Sequence, residues 1–468
     1  MLAGLACIAL LYLFFIPNSS LFGITYIGHG TKINSAQYEI ADVQKIKVSS
    51  NRYDVEILES ANDKIGANLT SKTFGYCLVK NKNVNMVATL KNGVLTIDVT
   101  EPTGWLLDSD SKLKIMIPAS HSVDLELINN KAMTKINSNI SINNLTYTTN
   151  RGDFSFTSGK LNGDLDLNLG NANFTIGKDA ILSQPSVNIE LDKGKFSALH
   201  HDLNNVVITK STAGVIEAKK CNSLMGSLGS AGGKIEIDTV NEIDFVSSDT
   251  NVYIHNLDVE NGSEDRLAYI ELTQTGRVQI LNLNGEADII TSSGSLIVNK
   301  SSDVLTLTTI SADITVAEAY KLVTATSTYG NITVNFAADA ESYTTDNLSR
   351  SVELTTSNGK ISSSGIEHAY VNALGTGRVY LNFNNVYGSN NVFSNRGETY
   401  VFISQTATYY LTTSSDSGKV YVNFADLEVN GYETKFETTT PVNGCTEPNT
   451  NLIVRTASGD LTVIDNIY

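Results

Sequence analysis

The stretch Leu145-Thr-Tyr-Thr-Thr-Asn-Arg-Gly-Asp-Phe-Ser-Phe156 places apolar residues at alternate positions on both sides of a turn, the mark of two strands joined at a corner. It returns near the other end of the chain as Leu452-Ile-Val-Arg-Thr-Ala-Ser-Gly-Asp-Leu-Thr-Val463. With the corner residue as origin, the offsets about Gly152 hold Leu145, Tyr147, Thr149, Phe154 and Phe156. About Ala172 they hold Leu165, Leu167, Leu169, Phe174 and Ile176; about Gly194, Val187, Ile189, Leu191, Phe196 and Ala198; about Thr250, Ile243, Phe245, Ser247, Val252 and Ile254. Gly294, Ala312 and Gly330 continue the series, then Gly359, Gly377, Gly418 and Gly459.

A β unit that repeats every 18–22 residues or so cannot bury its apolar face alone and must stack on its neighbours. The expected fold is therefore all-β, a single-stranded right-handed β-helix or β-solenoid. Its coils would lie about 4.8 Å apart, and fifteen or sixteen of them would make a rod roughly 75 Å long. The corner Gly is expected to supply a positive φ. A Thr or Ser three residues before it (Thr149, Thr291, Thr309, Ser327, Thr356, Ser415, Thr456) is expected to form a hydroxyl ladder bonded to the turn.

Working outward, residues 31–130 alternate less regularly and read as an irregular β entry region that caps the solenoid of 131–468. Before them, Leu2–Ile16 is apolar and Leu21–Ile27 resumes after a polar break, so residues 1–30 read as a hydrophobic anchor, expected to be a transmembrane helix. A cleaved signal is the alternative, but no basic n-region precedes the apolar run. The bulk of the chain is then expected to be extracytoplasmic, at the cell surface.

Composition narrows the partners. Lys and Arg number 33 against 49 Asp and Glu, a formal charge of −16, with the acids scattered along the chain. That disfavours nucleic acid. The four cysteines, Cys7, Cys77, Cys221 and Cys445, form no Cys-x-x-Cys pair, and the three beyond the apolar start allow at most one bridge.

No catalytic constellation rides on the repeat. Gly28-His29-Gly30 resembles a fragment of the polygalacturonase signature, but no paired aspartates or Arg-x-Lys follow. His200-His201 would point to opposite faces of a strand. Gly226–Lys234 has Leu228 and Ile235 where a phosphate loop needs Gly and Ser or Thr. The Asn-x-Ser/Thr triplets follow from composition. The reading is a non-enzyme without cofactor or metal. Function is assigned to places that break the period: insertions near 257–266, 337–350 and 426–451, and the loop bearing the single Trp. Their candidate binding residues are Trp105, Asp108, Asp110, Glu264, Asp265, Tyr343 and Tyr432.

The phrases Ile46-Lys-Val-Ser-Ser-Asn-Arg-Tyr-Asp-Val-Glu-Ile57 and Leu113-Lys-Ile-Met-Ile-Pro118, with the repeated apolar-x-apolar-x-Thr-x-x-Gly-x-apolar-x-apolar unit, resemble the bacterial putative-adhesin family of unknown function. The resemblance implies a cell-envelope protein with one N-terminal transmembrane helix followed by β-strand repeats. It implies no substrate, cofactor or catalytic residue. The expected role is a membrane-anchored adhesin or envelope scaffold that contacts a surface glycan or protein. The alternatives are a carbohydrate-active β-helix enzyme and an envelope-stress sensing ectodomain.

Overall fold

The computed structural model describes residues 20–21, 24–77, 84–100, 107–229, 232–259, 268–424, 427–430, 436–443, 445–446 and 449–466. They are all-β, with two compact units divided between Lys220 and Cys221. Away from the ends of each unit, a strand segment pairs in parallel with the segment one coil later rather than with the one it meets at the corner. Leu145–Leu169 shows the principle: Leu145 lies opposite Leu165, and Leu165 opposite Val187, while Phe154 lies opposite Phe174, and Phe174 opposite Phe196.

The registered offsets are the core. Leu145, Tyr147, Phe154, Phe156, Leu165, Leu167, Phe174, Phe196, Ile243, Phe245, Val252 and Ile254 are all essentially inaccessible to solvent. Because identical offsets superpose from coil to coil, aromatic residues fall into columns. Phe154 and Phe174 stack at 4.5 Å with planes 6° apart, and Phe196 follows Phe174 at 6.0 Å. Tyr147 caps this column, and its hydroxyl donates to the Gly152 carbonyl at 2.6 Å; burial pushes the phenol up to about 12.

At the corners the hydroxyl ladder bonds to the turn, except at Thr291, whose Oγ1 is buried with no hydrogen-bond partner among the described residues. The amides of Gly152, Gly330, Gly359 and Gly418 donate to Thr149 Oγ1, Ser327 Oγ, Thr356 Oγ1 and Ser415 Oγ at 2.7–2.9 Å. The residue after the corner adds a second ladder, in which Asp313 accepts from the Asn331 amide and Asn331 from the Lys360 amide. Of the corner glycines named from sequence, Gly294 adopts the expected positive φ, whereas Gly152, Gly194, Gly330, Gly359, Gly377, Gly418 and Gly459 do not. There the reason for glycine is close approach: a Cβ on Gly359 would run into the Gly330 carbonyl, and one on Gly330 into that of Ala312.

Chain order and spatial order part company near both ends. In the first unit Lys45–Ser50 pairs with Ser122–Asn129 on one side and with Val94–Thr100 on the other. Asp54–Glu59 likewise lies between Thr134–Thr149 and Leu107–Ile117. The coil formed by 45–59 is thus inserted between two later coils. Antiparallel strands then cover the outer one: Asn85–Lys91 on Val94–Thr100, and Lys64–Cys77 on Leu107–Ile117.

The second unit repeats the device in reverse. Asn451–Thr456 is inserted between Ser389–Ser394 and Tyr409–Ser415, and Leu461–Asn466 between Thr399–Ser404 and Val420–Phe424. Phe436–Val442 and Leu427–Asn430 pair antiparallel with the displaced coil. An exposed sheet edge invites pairing with another chain, and antiparallel cover uses up its hydrogen-bonding groups.

The anchor expectation is corrected where it can be seen. No helix among the described residues is long and apolar enough to cross a membrane. Leu2–Ile16 lies outside the described residues, but the later part of the proposed anchor enters the strand Ile24–Glu39, which runs through position 30 and pairs antiparallel with Lys64–Cys77. The β-branched and aromatic run Ile24-Thr-Tyr-Ile27 suits a strand, and a partner strand is there to satisfy its backbone.

Candidate functional site

Every coil has a second corner, opposite the Gly corner. In the second unit the coils from 332 onward place there the turns 337–350, 384–388 and 405–408, together with residues 443, 445–446 and 449–450. The first is the insertion foreseen from the broken period. Backbone geometry allows so long a turn because Leu348 and Arg350 adopt left-handed conformations, at φ +50° and +52°.

Arg350 fastens this turn. Its Nε donates to the Ala340 carbonyl at 3.1 Å, Nη1 to Gly365 at 3.0 Å, and Nη2 to Ala337, Ala338 and Ala340 at 2.9–3.0 Å. Glu367 Oε1 lies 3.7 Å from Nε, and both side chains are only 6% exposed. The planar guanidinium therefore serves as a hub for four carbonyls, with the carboxylate as a looser partner. The other Glu367 oxygen accepts the Tyr343 amide at 2.7 Å. Farther out, the amides of Thr344 and Asn347 are capped by each other's side chains.

This scaffold fixes the Tyr343 ring flat on the His368 imidazole, with centroids 4.5 Å apart and planes 8° apart. Tyr370, 41% exposed, meets the imidazole edge-on at 5.2 Å. His368 Nδ1 lies 3.0 Å from Ser351 Oγ. Burial depresses the imidazole below its ordinary value, partly opposed by a hydrogen bond with the Ser389 backbone. Burial raises the Tyr343 phenol, with Tyr370 adding to the effect. Both rings are therefore held neutral near pH 7. Gly388, at φ +62°, lies beneath them, where a Cβ would meet His368 Cδ2 at 3.6 Å.

A cleft of ≈ 330 Å³ opens on this corner, lined by Asn385, Tyr387, Thr406, Thr408, Thr446 and Thr450 with Val386 and Cys445. Asn443 holds one wall in place by donating to the Gln405 and Ala407 carbonyls at 2.8 and 2.7 Å. Among the described residues the lining is hydroxyl, amide, thiol and aromatic, without a carboxylate, ammonium, guanidinium or imidazole. Such a surface can hydrogen-bond a polyhydroxylated ligand and pack a ring against its apolar face.

Of the candidates read from sequence, Tyr343 belongs to this assembly. Trp105, Glu264, Asp265 and Tyr432 lie outside the described residues. Asp108 and Asp110 do not stand in a projecting loop: their backbone is within the strand Leu107–Ile117, opposite Phe74 and Lys72. Sequence reasoning missed His368, Tyr370 and Tyr387 because their alternation matches ordinary strand and turn residues, and only the folding of 337–350 brings them together. Among the described residues no group of three or more His, Cys, Asp or Glu is placed to hold a metal. His201 is buried with Nε2 2.8 Å from the Gly177 carbonyl. Neither Cys221 nor Cys445 is in a disulfide, and burial pushes the Cys221 thiol up to about 12.

No family model matches the chain. No curated protein matches it either. Among solved structures it is similar to a putative cell adhesion protein from Clostridium sporogenes ATCC 15579, at 8% identity over 93% of this chain and 100% of that one, with a TM-score of 0.16. A putative adhesin from Bacteroides fragilis NCTC 9343 shows 14% identity over 60% of this chain and 97% of that one, with a TM-score of 0.21. A putative adhesin from Parabacteroides merdae ATCC 43184 shows 14% identity over 75% and 96%, with a TM-score of 0.22. TM-scores this low carry no argument, so the chain's function has to be argued from its own residues.

Proposed function

We propose that this chain is a right-handed β-solenoid of the cell surface, attached through its apolar N-terminus, that works by non-catalytic binding as an adhesin or envelope scaffold. The corner built from 337–350, 384–388 and 405–408, with residues 443, 445–446 and 449–450, is its contact site, and an uncharged surface glycan is the ligand class its described lining suits best. One observation carries this reading. Arg350 and Glu367, both buried, tie to the coil an insertion that the coil itself does not need, and the insertion carries Tyr343, whose ring lies beside Gly388, the neighbour of Tyr387 in an open, hydroxyl-lined cleft. Burying a charged pair is costly, and a turn kept at that cost is more readily explained by recognition than by packing.

The test is a glycan array probed with the full chain, beside the double variant Tyr343→Ala/Tyr387→Ala. Specific glycans should be retained by the parent chain and lost by the variant, with unchanged far-UV circular dichroism. Retention that is the same in both would remove the site from consideration, and release of new reducing ends from a bound glycan would replace binding with hydrolysis.

A further inference from the structure

A second surface of different chemistry lies on the Gly-corner edge of the first unit. The two residues just before the corner residue are Asn51-Arg52, Asn130-Lys131, Asn150-Arg151, Gly170-Asn171 and Asp192-Lys193. Strand register stacks these pairs on five adjacent coils. Thr134 lies opposite both Val55 and Phe154, which aligns Arg52, Lys131 and Arg151. Phe174 lies opposite Phe154, and Lys195 opposite Asn173, which adds Asn171 and Lys193. Backbone bonds continue through the corner itself, with the amides of Arg151, Asn171 and Lys193 donating to the carbonyls of Asn130, Asn150 and Gly170.

Four of the five positions in this column are cationic, in a chain whose formal charge is −16. Lys131, Arg151 and Lys193 are exposed, and none is in an ion pair among the described residues. The neighbouring column supplies amides, with Asn130 Nδ2 donating to Asn51 Oδ1 at 3.0 Å. Between the columns runs a groove of ≈ 460 Å³ lined by the cations Lys131 and Arg151, the amides of Asn51, Asn130, Asn150 and Asn171, and one carboxylate, Asp192, with Arg52 and Lys193 continuing the basic column beside it. It continues past Asn150, Gly170 and Asp192 into a second hollow of ≈ 380 Å³.

We propose that this groove binds a linear anionic polysaccharide, such as a polyuronate, laid along the coil-stacking direction across Arg52, Lys131, Arg151 and Lys193. Successive coils advance by about 4.8 Å, so the column spans about 19 Å, and a sugar unit in an extended chain advances by a similar step. Each carboxylate can then face a cation while ring hydroxyls face the Asn column. Nucleic acid fits less well: among the described residues no aromatic side chain lines the groove for base stacking. The site lies in the other compact unit from the uncharged corner cleft and does not depend on it.

The experiment measures binding of size-defined oligogalacturonate to the full chain, with maltooligosaccharide and oligo-dT of equal length as comparators. The groove variant is Lys131→Gln/Arg151→Gln/Lys193→Gln, and Lys300→Gln/Lys321→Gln/Lys419→Gln removes the same charge elsewhere. The groove triple should weaken oligogalacturonate binding by about tenfold or more (~1.4 kcal/mol), while the remote triple stays within about twofold. Affinity should fall with salt on a log–log slope of about −2 to −3, as expected when three or four contacts release counterions. Equal weakening by both triples would reduce the effect to net charge and overturn the proposal. So would the absence of binding at low salt, equal affinity for the neutral oligosaccharide, or tighter binding of oligo-dT through the same residues.

Discussion

Replacing Arg350 by Met should release the 337–350 turn while leaving the coils intact. The side chain makes five hydrogen bonds to four carbonyls and accompanies a carboxylate that is just as buried. Met fills comparable volume but donates nothing, so Glu367 would keep its charge at 6% exposure with the Tyr343 amide as its remaining hydrogen-bond donor among the described residues. Removing one member of a buried pair costs about 3–5 kcal/mol. The protein can escape that cost by letting the turn swing out and hydrating Glu367, which caps the loss at the free energy of docking the turn. The expected signature is local: amides of 337–350 should exchange with deuterium about 10² to 5 × 10³ times faster, as about 3–5 kcal/mol implies. Amides of Val379–Phe383, which neither contact the turn nor bond to Arg350, should keep their protection.

The companion variant Glu367→Gln separates the ion pair from the carbonyl hub. At 3.7 Å the carboxylate is the looser partner, and Gln can still accept from the Tyr343 amide, so a cost nearer 1 kcal/mol is expected. Unchanged exchange of 337–350 in Arg350→Met would refute the clamp. Equal acceleration in both variants would assign the clamp to the ion pair alone.

Gly359→Ala pushes a Cβ into the Gly330 carbonyl, a backbone atom that cannot rotate away, and should cost about 1–3 kcal/mol, read as a lower denaturant midpoint. Thr356→Val leaves the buried Gly359 amide without its 2.9 Å acceptor at nearly constant volume, and a loss of about 1–3 kcal/mol is expected by the same measurement; a neutral result would show that the hydroxyl ladder contributes only shape. For His368 the folded value lies below the ordinary 6.5. Unfolded chains therefore take up the proton first as pH falls through 6.5, and the docked Tyr343–His368 stack should lose stability from there downward until the folded imidazole also titrates. Nuclear magnetic resonance titration of the His368 ring would check the sign, and a midpoint at or above 6.5 would contradict it.

The inward residues were legible because strand periodicity is local: Leu145, Tyr147, Phe154 and Phe156 face the core for reasons contained within twelve residues of sequence. The corner hydroxyls were legible for the same reason, since Thr149 and Gly152 are three residues apart. What glycine does at the corner was not, because the atom a Cβ would strike belongs to the previous coil. Gly359 meets Gly330 across 29 residues of chain, a distance at which no φ preference can be read. The candidate cleft shares this limit. Tyr343 was found through the broken period, but its partner His368 occupies an unremarkable strand start, and the Arg350–Glu367 pair that joins them has no sequence signature.

Spatial order was the least legible property, and it bears most on both surfaces. Read along the chain, the corner glycines run 377, 397, 418, 459; in space Gly459 stands between Gly397 and Gly418. The repeats are so alike that the coil of 409–424 has the right alternation to stack directly on that of 389–404, and nothing local forbids it. What favours insertion is that the last coil then buries Leu452, Val454, Leu461 and Val463 against two neighbours instead of one, while the displaced coil takes the antiparallel cover that an outermost coil needs. The same exchange in the first unit places Arg52 beside Lys131, with Asn51 bonded to Asn130 across 79 residues. Insertion thus caps each end and also extends the basic column by one coil, so an alteration that blocked the docking of 45–59 would shorten the anion groove without touching a residue that lines it beyond Asn51 and Arg52.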